Sequence, residues 1–267
     1  MDRSELPLGG KVAVVTGASG GVGKATAVAW AKLGADLVVC ARSDAPRRDG
    51  YPSLVDTRAE IEATGSRCVA VRVDVSVDED IAELALRTRE VFGKVDILLN
   101  NAAALIPEMN LPIAEMSVES WRYQLNVNLT APWLAIKTFL PLFPADGGII
   151  VNVTSGPMPG EPPIRRPPGA GFPGAAYPTS KAGLNRLTDV LGNELRHRAI
   201  AVVAVHPGRA RTERNTDQLA AGGYDPADWQ DVKHAVATLT GVVTHRDPMA
   251  LTGTVVYTPQ EPRADFN

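Results

Sequence analysis

Tyr177 and Lys181 stand four residues apart at the start of a segment with helical spacing. Residues i and i+4 of a helix project from one face, so this phenol and ammonium lie side by side. A phenol ordinarily titrates near pH 10 and is a poor base at neutral pH, but a neighbouring cation stabilises its anion. Lys181 is therefore expected to bring the Tyr177 pKa down toward the range useful to a general acid or base. Ser155 follows an apolar run, where a strand should end, and its hydroxyl can donate to a carbonyl oxygen that gathers charge as hydride arrives. Taken singly, the tyrosine and lysine read as a surface pair and the serine as a turn residue. Together they describe carbonyl–alcohol chemistry with tyrosine handling the proton.

A second constellation lies near the N-terminus, where Thr16-Gly17-Ala18-Ser19-Gly20-Gly21-Val22-Gly23 follows an apolar run and precedes a helical one. Glycines at 17, 21 and 23 permit a tight turn, let the backbone approach a pyrophosphate and bring helix against strand. The helix N-terminus offers the anion its unpaired N–H groups. The turn as a whole, Ser19, Gly20 and Val22 included, suits a dinucleotide. The next apolar run ends Ala41-Arg42-Ser43, roughly where an acid would hold the ribose 2′-hydroxyl of NAD(H). No acid stands at 41. Arg42 offers instead a planar, permanently charged fork suited to a 2′-phosphate, so NADP(H) is favoured. If Arg42 is only a solvated strand end, NAD(H) is the alternative. Arg47 and Arg48 add charge if their loop folds back.

These groups need a scaffold. Short apolar runs rich in β-branched residues recur at 12–16, 37–40, 69–73, 97–99, 149–153, 202–205 and 255–257, each reading as a strand buried on both faces. Longer segments with helical spacing lie between them, at 23–33, 77–92, 119–143 and 175–196. Alternating strand and helix implies a parallel sheet with right-handed crossovers. The expected fold is α/β: a doubly wound, Rossmann-like, seven-stranded parallel sheet with helices on both faces, in a single domain over residues 1–267. Ligands of such sheets bind beyond the carboxyl ends of the strands, where both constellations fall. Two turn-rich stretches interrupt the rhythm, at 43–52 and at 156–174, the latter rich in proline and glycine around Arg165-Arg166.

With 45% hydrophobic and 21% charged residues, the 267-residue chain can bury a large core. A net charge of −3 with scattered basic residues supplies no field for polyanions, so nucleic acid is not an expected partner. Cys40 and Cys68 sit in or beside apolar runs and read as reduced core residues, and the four histidines are dispersed, so no metal site is expected. No run is long enough to span a bilayer and residues 1–11 lack a signal peptide's apolar stretch, so the expected location is cytoplasmic, without membrane association.

In combination and order, the glycine-rich turn, Asn100-Asn101-Ala102-Ala103, Ser155, Tyr177-x-x-x-Lys181 and Pro207-Gly208 resemble the short-chain dehydrogenases/reductases, in their short single-domain form, over roughly residues 9–212. By that resemblance Asn100 to Ala103 stabilise the central sheet and line the cofactor, through Asn101, Ala102 and Ala103 in particular. Asp74 and Val75 flank the adenine, and Pro207, Gly208 and Thr212 lie on the nicotinamide side. Tyr177 and Lys181 lie along the cofactor's ribose. Asn128 matches a fourth catalytic position beside Ser155, Tyr177 and Lys181. Pro132 lacks the N–H that would bond the carbonyl of Asn128, so the helix should kink there and free that carbonyl. In the family such a carbonyl holds a water leading toward Lys181; here the proline can equally serve packing alone.

The resemblance has gaps. Ala103 replaces a common glycine, and the stretch between Ser155 and Tyr177 is longer than usual, either a wall of the substrate pocket or a surface loop. Residues 213–229 match the variable substrate loop, where Leu219, Tyr224 and Trp229 either contact substrate or anchor the loop. His206 reads as a strand-end structural residue. The chain ends without the acid-Gly-Gly motif that packs between subunits in relatives, which leaves dimer and tetramer both open for an expected homo-oligomer. The expected activity is NADP(H)-dependent interconversion of a small-molecule ketone or aldehyde with its alcohol. The alternative is an inactive nucleotide-binding sensor of the same fold.

Overall fold

The computed structural model describes residues 2–44, 51–106, 108, 111–156, 174–213 and 229–259. Arg47, Arg48, Leu219, Tyr224 and nearly all of the segments 156–174 and 213–229 lie outside the described residues.

Seven strands form one parallel sheet: β1 (Val12–Thr16), β2 (Asp36–Ala41), β3 (Cys68–Arg72), β4 (Ile97–Asn100), β5 (Gly148–Val153), β6 (Ile200–His206) and β9 (Val255–Tyr257). Their order is β3-β2-β1-β4-β5-β6-β9, so the chain reverses direction across the sheet at β1 and β4. All seven expected strands form, each within a residue or two of its expected span. Ala210–Arg211 (β7) pairs with Gln230–Asp231 (β8) in a separate small ladder.

Alternation along each strand divides the core. Ala13, Val15, Leu37, Val39, Ala201 and Val203 face one side; Val14, Val38, Cys40, Ile200 and Val202 face the other. The first side is covered by α1 (Gly21–Lys32) and α2 (Leu54–Glu62), with α7 (Val232–Val243) beyond them. Trp30 of α1 is fully buried and its indole donates to Thr240 Oγ1 of α7 at 3.2 Å. The second side is covered by α3 (Asp78–Phe92) and α5 (Ala131–Phe139), through Ile81, Leu84, Ile136 and Phe139. Burying a side chain of this size contributes about 1.5–3 kcal/mol, so the two apolar faces together hold the sheet between its helix layers.

Two helices escape the apolar-spacing reading. In α2 a capping box joins Ser53 and Asp56, and Thr57 Oγ1 donates to the Ala18 carbonyl at 2.8 Å. Asp231 caps α7 by accepting from the Lys233 N–H at 2.8 Å. The segment expected as one helix over 119–143 is α4 (Val118–Leu125), a π-helical turn (Asn126–Thr130), α5 and a 3₁₀ turn (Leu140–Leu142). The interruption falls where Pro132 predicts it: the Ala131 N–H bonds five residues back, to the Asn126 carbonyl. Both cysteines are buried, and burial pushes each thiol up to about 12, keeping it protonated.

Candidate active site

The glycine-rich turn leaves β1 at the reversal point. Gly17 adopts φ +68°, and a Cβ there would approach Ala102 Cα to 2.9 Å. At Gly23 a side chain would overlap Asn101 Nδ2 and the Gly17 carbonyl. The space is instead used for polar closure. Asn101 Nδ2 donates to the carbonyls of Thr16 (2.9 Å) and Gly17 (3.1 Å), while the N–H groups of Asn101 and Ala102 donate to Thr16 Oγ1 at 3.0 and 3.1 Å. Asn100 secures the strand behind: its amide donates to Asn152 Oδ1 at 2.9 Å, and Asn152 donates to Thr188 Oγ1 of α6 (Ala176–Glu194) at 3.0 Å. These buried amides join β4, β5 and α6.

The start of α1 takes an anion. The Gly21 N–H donates to Glu213 Oε1 at 2.8 Å, and a Cβ on Gly21 would lie 3.5 Å from the Thr212 methyl. A carboxylate therefore already occupies the donor end of the helix, as the positive end of its dipole favours. Thr212 and Glu213 thus lie against the turn that begins almost two hundred positions earlier. Pro207 and Gly208 lead toward them: the Gly208 N–H donates to His206 Nδ1 at 3.0 Å, and His206 stacks on Tyr257 with centroids 5.5 Å apart, so the histidine is built into the strand end as expected.

Just beyond the end of β2, Arg42 is exposed and donates through Nη1 to the Tyr123 hydroxyl at 2.8 Å. Asp74 accepts from the Ser76 N–H (2.9 Å) and hydroxyl (2.7 Å), and Val75 shares the lining of one small cavity with Thr16, Ala102 and Val127. Asn126 donates to the Ser76 carbonyl at 3.0 Å.

Tyr177 lies in the first turn of α6 and Lys181 one turn later. The Tyr177 hydroxyl lies close enough to the Ser155 side chain to interact with it. Lys181 Nζ is buried, donates to the Val153 carbonyl at the end of β5 (2.8 Å) and lies 5.8 Å from the centroid of the Tyr177 ring. Asn128, fully buried in the π turn, accepts from the Ala104 N–H at 2.9 Å and donates to Ser180 Oγ at 3.1 Å; Ser180 in turn donates to the Tyr177 carbonyl at 2.7 Å. Ser155, Tyr177, Lys181 and Asn128 thus converge from β5, α6 and the π turn, past the carboxyl ends of the strands.

One electrostatic expectation fails. The Tyr177 pKa is raised, not lowered: burial of its hydroxyl outweighs the opposing effect of the Ser155 side chain. Burial also lowers Lys181 to about 8. Both shifts have one cause, since desolvation disfavours phenolate and ammonium alike. The neutral phenol and charged lysine are the resting pair at neutral pH.

Glu213 and Tyr123 were missed by sequence reasoning. No local motif marks either, because each meets its partner only through the fold.

The family model for short chain dehydrogenase matches residues 11–222. A short chain dehydrogenase/reductase of Aspergillus oryzae, astE, is 34% identical over 215 residues, covering 79% of this chain and 76% of its own. Glucose 1-dehydrogenase 2 of Bacillus subtilis is 33% identical over 213 residues, covering 79% and 76%. Among solved structures, a short chain dehydrogenase from Burkholderia cenocepacia in complex with NADP aligns with a TM-score of 0.75 and 28% identity, over 94% of this chain and 97% of that one.

Proposed function

Since the chain belongs to the short-chain dehydrogenase/reductase family, we propose that it is an NADP(H)-dependent oxidoreductase interconverting a ketone or aldehyde with its alcohol. The observation that carries this reading is the Tyr177 hydroxyl next to the Ser155 side chain with the Lys181 ammonium beside the same ring. NADP(H), when bound, supplies or accepts the hydride. The glycine-rich turn from Gly17 to Gly23 fits its pyrophosphate, as the carboxylate held on Gly21 indicates. Asn101, Ala102 and Ala103 would line it, Pro207, Gly208 and Thr212 would hold its nicotinamide side, and Ala41, Arg42, Ser43, Asp74 and Val75 would surround its adenosine.

In the reductive direction Ser155 donates to the substrate carbonyl oxygen and Tyr177 delivers its hydroxyl proton to that oxygen. The phenolate left behind is stabilised by the charge of Lys181. Asn128, through Ser180, fixes the turn of α6 that carries Tyr177. The NADP complex of the Burkholderia protein and the dehydrogenase name of the Bacillus relative support the cofactor and alcohol–carbonyl classes. Exposed Val118, Trp133 and Val190, on α4, α5 and α6, support a homo-oligomer.

The test is fluorescence titration with NADPH and NADH, followed by NADPH consumption against a panel of ketones, aldehydes and quinones. Tighter NADPH binding with turnover of a panel member supports the proposal. Failure to bind either nucleotide would sink it, and binding without turnover of any carbonyl would favour the sensor.

A further inference from the structure

We propose that Tyr123 is a cofactor-specificity residue: its phenol holds Arg42 at the rim of the adenosine site and completes with it a two-residue clamp for the 2′-phosphate. The inference rests on the NADP(H) reading above and deepens it.

An arginine at an exposed strand end normally samples many rotamers, and ordering it on a ligand costs binding free energy. Here the guanidinium is already held. Nη1 donates to the Tyr123 hydroxyl at 2.8 Å, and that neutral phenol is its one side-chain partner among the described residues. The bond uses one of five N–H donors, and the hydroxyl brings no negative charge to the guanidinium, so the remaining donors suit a dianionic phosphate. The phenol oxygen accepts from arginine, which leaves its own hydrogen to donate. A phosphate ester offers only acceptors, whereas the ribose hydroxyl of NAD(H) offers one oxygen and no charge. The pair therefore discriminates by charge and by donor count.

The position of Tyr123 is itself fixed. Tyr123 and Asn126 lie three residues apart, so both project from one face of the helix. Asn126 donates to the Ser76 carbonyl at 3.0 Å, in the loop after β3 where Asp74 and Val75 stand. The end of α4 thus grips two loops at once, the one after β3 through Asn126 and the one after β2 through Tyr123. Asn128, in the π turn that follows, then bonds the backbone beyond β4 and Ser180. One helix end aligns the rim of the adenosine site with the catalytic turn.

Tyr123→Phe removes the hydroxyl and keeps the ring. Binding of adenosine 2′,5′-bisphosphate and of 5′-AMP would be measured by calorimetry for the parent, Tyr123→Phe, Arg42→Ala and the double variant, with melting temperatures alongside. We expect Tyr123→Phe to weaken the bisphosphate about tenfold and 5′-AMP by less than about twofold, as loss of a hydrogen bond in a charged pair predicts. Arg42→Ala should weaken the bisphosphate further, and the double variant should lose less than the sum of the two. If Arg42→Ala leaves the preference for the bisphosphate intact, the NADP(H) reading fails. If Arg42→Ala abolishes that preference while Tyr123→Phe does not reduce it, the inference alone is overturned. Equal loss of both ligands in Tyr123→Phe would also overturn it, because the hydroxyl would then serve the fold and not the phosphate.

Discussion

Lys181 illustrates how a group proposed to serve catalysis opposes the stability of its own scaffold. Its ammonium is buried, with the Val153 carbonyl as its hydrogen-bond partner among the described residues, and its pKa falls to about 8. Between pH 8 and the ordinary lysine range the unfolded chain binds more protons than the folded one, so this residue's contribution to stability rises with pH across that window. Below it, the charged form carries its full penalty. Lys181→Met is accordingly expected to raise the melting temperature by about 2–4 °C while removing turnover. Tyr177→Phe should lower kcat by about 100- to 10,000-fold and leave the NADPH affinity unchanged, as paired titration and steady-state assays would establish. The pH profile follows from the same two groups: under the proposed mechanism reduction needs the Tyr177 proton and the Lys181 charge, so reductive kcat/KM should fall as pH rises past about 8. A profile flat to pH 10 would mean that Lys181 does not govern the tyrosine. The identities of both residues were legible in their spacing. The direction of the Tyr177 shift was not, because it depends on how far packing removes water from the hydroxyl.

At the scale of elements, the π turn between α4 and α5 carries the argument. Pro132 cannot send an N–H to the Asn128 carbonyl, and the helix widens by one residue just before it. The widening sets the angle at which Asn128 reaches both Ala104 and Ser180. Pro132→Ala lets a regular helix form and rotates Asn128 away from one of those partners. The expected result is a kcat lower by on the order of tenfold with an unchanged or higher melting temperature, measured by steady-state kinetics and calorimetry. Unchanged kcat would assign the proline to packing alone. The proline was visible in the sequence and so was the interruption it causes. The helix α2 was hidden because its start is set by the Ser53 cap and its apolar residues are few, whereas α7 buries Ala235, Leu239, Val242 and Val243 at helical spacing, a pattern that stood in the sequence and went unread.

Across the whole molecule, the bond from Gly21 to Glu213 joins the first turn of the fold to the entrance of the variable loop. Under the proposed function a pyrophosphate would take the anion site at the start of α1, so the carboxylate and the cofactor would compete for one donor. Glu213→Gln keeps the shape and removes the charge; NADPH should bind roughly 3- to 10-fold tighter, in line with a helix-terminus charge effect, and the gain should shrink at high salt. Equal affinity in the two proteins would mean that Glu213 swings clear at no cost. The parallel, doubly wound sheet behind this contact was readable, since apolar runs buried on both faces alternate with helices, while the order of its strands came from the fold. Local sequence determined the strands, the glycine turn, the Tyr–Lys spacing and the Pro132 interruption, because each rests on residues adjacent along the chain. Only the tertiary structure decided that Glu213 caps α1, that Tyr123 holds Arg42 and that burial raises Tyr177. Each of those depends on groups far apart in sequence whose approach, and whose loss of water, packing alone controls.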